Sequence, residues 1–194
     1  LKLDLDDWFT SQPLELPWHP QPVAWTSCPG IFAHGRLDAG TELLARTLTL
    51  SPPTLRGDAR VLDWGSGSGL LADAVRSWNA RAELTLADLD QLALEAARRN
   101  VPESVCVHSD GWQGLLDHEP WQLVIANPPY HRGKSESLDE VAALLAGLDA
   151  GLQRGGELRM VVQRRLPIEA LVDRVRRRAE TLVDEGPFRV WRVQ

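Results

Sequence analysis

One run of ten residues constrains this chain more than any other: Val61-Leu62-Asp63-Trp64-Gly65-Ser66-Gly67-Ser68-Gly69-Leu70. A short apolar stretch ends in an acid, passes through three glycines at alternate positions, and enters a helical apolar period. Glycines so spaced let the backbone turn sharply and let a ligand approach where a Cβ would collide. A strand handing over to a helix through such a turn points to an α/β fold, with a ligand at the carboxyl end of the sheet.

The rest of the chain keeps that alternation. Arg60–Asp63, Glu83–Ala87, Val105–Val107, Leu123–Ala126 and Glu157–Val162 read as strands. Between them, Leu70–Trp78 and Leu92–Arg99 read as helices, and Leu138, Val141, Leu144, Leu145, Leu148 and Leu152 fall on one helical stripe. Ile168, Leu171, Val172, Val175 and Ala179 form a second stripe. Thr181–Asp184 and Phe188–Val193, split by Gly186-Pro187, predict a terminal hairpin. Leu37, Leu43, Leu44 and Leu48 predict a helix closed by Ser51-Pro52-Pro53. Strands and helices linked in this way predict a mainly parallel sheet covered on both faces.

Residues 1–29 differ. Pro13, Pro17, Pro20 and Pro22 recur too often for a helix, with Trp8, Trp18 and Trp25 among them. They predict an arm of extended segments whose indoles pack on a main domain of residues 30–194, since indoles bury large area wherever they can.

Composition removes several classes. The chain has 194 residues, 43% apolar and 25% charged, which fits one ordinary soluble domain. The apolar runs are too short for a membrane span, and no signal peptide is legible. Two cysteines, Cys28 and Cys106, supply neither a disulfide framework nor a four-ligand zinc site, so no metal is expected and a cytoplasmic setting is.

The motif that bears chemistry is Asn127-Pro128-Pro129-Tyr130, directly after the buried strand ending at Ala126. Each proline fixes its own φ and restricts the residue before it, so a stiff loop projects at the carboxyl end of the sheet. One carboxamide, free carbonyls and an aromatic ring there suit a planar substrate bearing an NH₂ group. Asn127 Oδ1 and the Pro128 carbonyl can each accept one N–H, aiming the nitrogen lone pair, while Tyr130 stacks on the substrate plane.

The glycine turn does not fit the dinucleotide fingerprint, which needs glycine at Leu70. Its D-x-G-x-G-x-G spacing resembles the first motif of class I S-adenosylmethionine-dependent methyltransferases, and N-P-P-[FY] is similar to the motif of those acting on amino groups. Further stretches resemble the bacterial ribosomal RNA guanine-N2 methyltransferases of the small-subunit type. These are Asn127-Pro128-Pro129-Tyr130-His131-Arg132-Gly133, Gly30-Ile31-Phe32 through Leu37-Asp38-Ala39-Gly40-Thr41, Gly155-Gly156-Glu157-Leu158-Arg159-Met160-Val161, and Phe188-Arg189-Val190-Trp191-Arg192.

The resemblance implies a Rossmann-like seven-stranded sheet with an antiparallel last strand. It implies S-adenosylmethionine held by Asp63, Gly65, Gly67, Gly69 and Asn127, with Asp88 on the ribose and Asp110 on the adenine amine beside Trp112. Asn127, Pro128, Pro129 and Tyr130 would be the catalytic loop, with Phe32, Tyr130, His131, Arg132 and Lys134 toward the substrate. Asp38 and Thr41 would lie near the reacting groups or cap a helix, and Asp90 is placed to cap the helix after it.

The implied partner is ribosomal RNA or a ribosomal subunit. Tyr130, where the RNA family more usually has Phe, keeps glutamine-N5 and adenine-N6 methylation open, and a non-catalytic RNA-binding module is a further alternative. The family's chains carry two copies of the fold. A single copy without an initiator methionine leads to the expectation of a catalytic half whose upstream, RNA-binding domain is missing.

Charge bears on that partner. Twenty-one cations against 27 acids give −6, which speaks against non-specific nucleic-acid binding by the whole surface. Yet residues 164–194 hold eight arginines against five acids. Arg164, Arg165, Arg174, Arg176, Arg177 and Arg178 predict either a basic face or a solvated helix flank.

Overall fold

The computed structural model describes residues 4–129, 131, 132, 135, 136 and 138–194, with the backbone alone at 131, 132, 135 and 136. The chain opens with a 3-10 turn at Leu5–Trp8, then β1 (Thr10–Leu14) and β2 (Val23–Ser27), paired antiparallel. Next come α1 (Ala39–Leu50), β3 (Arg60–Trp64), α2 (Leu70–Trp78), β4 (Glu83–Asp88), α3 (Gln91–Asn100), β5 (Val105–His108) and β6 (Trp121–Ala126). After the two-residue strands β7 (His131–Arg132) and β8 (Ser135–Glu136) follow α4 (Asp139–Ala146), α5 (Leu148–Gly151), β9 (Leu152–Gln163), α6 (Glu169–Val172), β10 (Ala179–Glu185) and β11 (Phe188–Val193).

Seven strands form one sheet in the order β10-β11-β9-β6-β3-β4-β5. β3, β4, β5, β6 and β9 run parallel, and β11 lies antiparallel between β9 and β10. The predicted sheet, with its inverted last strand and terminal hairpin, is present. Strand alternation divides the core in two. Val61, Leu84, Leu86, Leu123 and Ile125 pack against α1, α2 and α3. Leu62, Trp64, Val124, Leu158 and Met160 pack against α4, α5 and α6. Each such buried aliphatic side chain stabilises by about 1.5–3 kcal/mol.

On β9, Arg159 is buried with its Nε donating to Glu157 at 2.7 Å, and it reaches the Ser51 carbonyl at the end of α1 at 3.0 Å. This pair fixes the Glu-Leu-Arg segment to its face. Removing either partner would strand a buried charge, at a cost of about 3–5 kcal/mol.

Both long apolar stripes are corrected. The stripe from Leu138 to Leu152 is not one helix: it breaks at Gly147, and Leu152 opens β9. At the break Trp112 donates to the Ala143 and Leu144 carbonyls, the acceptors a continued helix would offer residues 147 and 148, and its ring fills the space where a Cβ on Gly147 or Gly151 would stand. The stripe from Ile168 to Ala179 is helical only over Glu169–Val172, and Ala179 opens β10. Like charges at Arg174 and Arg178 disfavour a continued helix, and the Arg178 backbone instead exchanges two hydrogen bonds with Gln194 (2.9 and 2.8 Å).

The arm packs with two of its three indoles. Trp25 is buried and donates to Ser68 Oγ at 3.1 Å, and Trp18 donates to Asp73 Oδ2 at 2.8 Å. Trp8 is 47% exposed, against expectation, and the neighbouring Phe9 ring instead takes the Arg99 guanidinium, 4.2 Å from its centroid. The Thr26 backbone is clamped by the Asn100 carboxamide at 2.7 and 2.9 Å. The arm is thereby fastened to the back of the glycine turn and to α3.

Among the described residues, no helix is long and apolar enough to cross a membrane. Nor, among them, does any group of three or more His, Cys, Asp or Glu stand where it could hold a metal ion.

Candidate functional site

A cleft of about 510 Å³ opens at the carboxyl ends of β3, β4 and β6. In this strand order the connection after β3 runs toward β4 and that after neighbouring β6 toward β9, so the two loops diverge to opposite sides and leave a crevice between them. Gly65 and Gly67 line the cleft with φ of 71° and 55°, values that suit glycine, and a Cβ built on either meets nothing within 4 Å. A side chain would therefore stand in the cleft itself. The amides of Gly65 and Ser66 donate to the Ala87 carbonyl at 2.8 and 3.0 Å, which ties the turn to the end of β4.

Asp88 lines the cleft beside them. Its Oδ2 accepts the Gly67 amide at 2.7 Å and its Oδ1 the Asp90 amide at 2.8 Å. Burial pushes its carboxyl above the ordinary range, and the two amides pull the other way. Asp90 caps α3, accepting from Leu92 at 2.9 Å, as expected. Asp110 and Gly111 also line the cleft, as do Asn127, Pro128, Pro129 and, at its rim, the 59% exposed Phe32.

Asn127 is held by α1. Its Nδ2 donates to Asp38 Oδ2 and to Thr41 Oγ1, each at 3.0 Å. Asp38 also caps that helix, accepting the amides of Gly40 and Thr41 at 3.0 Å. A Cβ on Gly40 would crowd the Phe188 ring at 3.3 Å and would stand at ordinary contact distance, 3.5 Å, from Asn127 Nδ2. Asp38 is the helix cap, Thr41 lies in the first turn of α1, and both touch Asn127.

Three expected cofactor residues lie elsewhere. Asp63 is 1% exposed and points beneath the turn, where its Oδ2 accepts the Ala72 amide at 3.1 Å and its Oδ1 has no partner among the described residues. Burial, with Asp88 nearby, pushes its carboxyl up to about 8. Asp63 faces the α2 side because residues along a strand alternate, while Trp64, which was not anticipated, turns to the other side and lines the cleft. Gly69 serves packing: a Cβ would lie 2.8 Å from Val101 Cγ2 and 3.2 Å from Leu86 Cδ2. Trp112 turns away from the cleft and donates to the carbonyls of Ala143 and Leu144 at 3.1 Å.

Tyr130 and Lys134 lie outside the described residues, as do the side chains of His131 and Arg132. Leu89, Ser109 and Glu140 also line the cleft and carried no sequence signal that singled them out.

Of the six arginines read as either a basic face or a solvated helix flank, three stand beside acids, while Arg174 and Arg176 are exposed. Arg164 donates to Asp184 at 2.6 Å, Arg177 to Asp149 at 3.2 Å, and Arg178 stands 3.8 Å from Glu180. Residues 174–178 precede β10, which runs parallel to β9, so they sit toward the end of the sheet remote from the cleft.

The glycine-turn cleft on this strand order defines a Rossmann-like class I methyltransferase fold. The model of the family described as methyltransferase small domain matches residues 23–192, and the chain belongs to that family.

Among curated relatives, the ribosomal RNA small subunit methyltransferase C of Stutzerimonas stutzeri (strain A1501) is 34% identical over 177 residues, covering 88% of this chain and 51% of the relative. The protein of that name from Escherichia coli O9:H4 (strain HS) is 35% identical over 167 residues, covering 84% and 47%. The chain thus spans about half the length of these relatives. Among solved structures, the T. thermophilus 16S rRNA N2 methyltransferase RsmC, in complex with AdoMet and guanosine, superposes with a TM-score of 0.81 at 24% identity, covering 96% of this chain and 50% of that one.

Proposed function

We propose that the chain carries the catalytic centre of an S-adenosylmethionine-dependent N-methyltransferase acting on the exocyclic N2 amine of a guanine in small-subunit ribosomal RNA. The observation that carries this reading is the meeting of the glycine-turn cleft with the Asn127-Pro128-Pro129 loop at one opening. The names of the relatives, and the guanosine held by the T. thermophilus protein, support the choice of base and RNA.

The cleft suits the cofactor. Gly65 and Gly67 leave room where side chains would intrude, and the Asp88 and Asp110 carboxylates offer acceptors for ribose hydroxyls and an adenine amine. Bound there, S-adenosylmethionine supplies an electrophilic methyl group on a sulfonium. The amine nitrogen has its lone pair delocalised into the purine ring and must move toward sp³ geometry to attack. Asn127 Oδ1 and the Pro128 carbonyl each accept one N–H, which turns the lone pair toward the methyl group. No strong base is required, because the proton leaves after transfer has made the nitrogen cationic. Tyr130 is assigned the stacking contact, and Arg132 and Lys134 the substrate phosphates.

An amine inside a helix cannot be reached in line, so the target guanine is unstacked into the site. The relatives are about twice as long, and a further RNA-holding part beyond this chain belongs to the same reading, as does a cytoplasmic setting. Isothermal titration with S-adenosylmethionine tests the enzyme reading: saturable binding by the folded chain is expected, and its absence would leave an RNA-holding module instead.

A further inference from the structure

The Asn127 carboxamide is an unsymmetrical group whose two ends are hard to tell apart by shape, so what fixes its direction is chemistry. Nδ2 carries two hydrogens, and two acceptors stand at 3.0 Å from it: Asp38 Oδ2 and Thr41 Oγ1. Turning the carboxamide over would bring Oδ1 against the Asp38 carboxylate, acceptor against acceptor. Asp38 cannot swing aside cheaply, because its oxygens also hold the Gly40 and Thr41 amides at the N-terminus of α1, where helix dipole and hydrogen bonds both favour its charge. Thr41 is buried, so water does not compete freely for its hydroxyl.

We infer that Asp38 and Thr41 are positioning residues that fix the polarity of Asn127, so that its carboxamide offers the cleft an acceptor only. Both amide hydrogens are consumed behind the loop, and Oδ1 is what remains for a substrate. This rests on the proposed function and deepens it. A site locked this way accepts a group that brings N–H donors, the exocyclic amine of a base. It rejects a base that presents a carbonyl in the same place, because two acceptors would then face each other with no donor between them. Selection of amine over carbonyl is thus made in α1, by residues that touch no substrate.

The test is a swap. Asp38→Asn places a carboxamide where the carboxylate was, and its NH₂ group can turn Asn127 over. The kcat for methyl transfer to RNA is expected to fall about a hundredfold, with the S-adenosylmethionine Kd within about twofold of wild type. Asn127→Asp alone sets two carboxylates together and is expected to fall comparably. In the double variant Asp38→Asn/Asn127→Asp the donor and acceptor trade places, and kcat is expected to recover at least about tenfold over the Asn127→Asp variant. A merely structural role for Asp38 would lower cofactor affinity along with kcat and would not be rescued by the swap. Full kcat in Asp38→Asn, or no recovery in a folded, cofactor-binding double variant, would overturn the inference.

A second readout does not depend on turnover. The two Nδ2 hydrogens of Asn127, assigned by NMR through their loss in Asn127→Asp, are expected to exchange slowly with water in the wild type and at least about tenfold faster in Asp38→Asn. Exchange in the wild type at the rate of a free asparagine would refute the lock even if the enzyme proved active. An inactive wild type with slow exchange would refute the proposed reaction and leave the lock standing.

Discussion

The Gly67 amide donates to the Asp88 carboxylate at 2.7 Å, so the middle of the glycine turn and the carboxyl end of β4 are one unit. Asp88 therefore has two roles, shaping the cleft and lining it. Asp88→Ala is expected to weaken S-adenosylmethionine binding about 10–100-fold, because it removes the proposed acceptor of ribose hydroxyls and frees the turn at once. Asp88→Asn keeps an acceptor for one amide and is expected to fall between wild type and Ala. Calorimetric titration of the three proteins checks this ranking, and equal affinity in all three would refute the role given to Asp88.

Asp63 sets a pH dependence of stability. Its carboxyl is pushed up to about 8 in the folded chain, against about 3.9 when unfolded. Between those values the folded state holds a proton that the unfolded state has lost. The contribution is fully present below the unfolded pKa and is lost as pH rises toward about 8, with a slope of at most about 1.4 kcal/mol per pH unit. The midpoint of urea unfolding is expected to fall from pH 5 to pH 8 in the wild type. Asp63→Asn, which does not titrate, is expected to flatten that fall; an unchanged slope would contradict the assignment.

Trp112 separates the two roles considered for it. Trp112→Phe loses the indole donor to the Ala143 and Leu144 carbonyls, and a stability loss of about 1–2 kcal/mol is expected. The S-adenosylmethionine Kd is expected to stay within about twofold of wild type. A large loss of affinity in a protein of near-normal stability would return Trp112 to the adenine pocket.

The far-end arginines give a negative control. Arg174 and Arg176 lie toward the end of the sheet remote from the cleft. The double variant Arg174→Ala/Arg176→Ala is expected to keep the KM for RNA within about twofold, measured as initial rates across substrate concentration. A tenfold rise would mean that RNA wraps to that end.

The sheet was legible because its information is local. Each strand announces itself by a short apolar run, right-handed crossovers leave few topologies, and the resemblance to the methyltransferases supplied the seven-stranded sheet with its antiparallel last strand. Gly65, Gly67, Asp88, Asp110 and the Asn127 loop were legible for the same reason, being fixed by their place at strand ends. What the sequence hid was side-chain direction and distant partnership. Asp63 and Trp64 are neighbours on one strand, and alternation sends one beneath the turn and the other to the cleft. Trp112 packs on Gly147 and Gly151, thirty-five and more residues away, where the stripe that reads as a single helix is interrupted. The charge of residues 164–194 counted cations without their partners, which lie on other elements such as Asp149.

The proposed reaction is methyl transfer to a guanine N2 amine in ribosomal RNA. The most direct test incubates the chain with tritiated S-adenosylmethionine and undermethylated small ribosomal subunits or naked ribosomal RNA, then digests the RNA and separates its nucleosides. Label is expected in N2-methylguanosine with the wild type and to be abolished by Asn127→Ala, whose cofactor affinity should change little. Label in protein, in an adenine, or at full level with Asn127→Ala would contradict the proposed function.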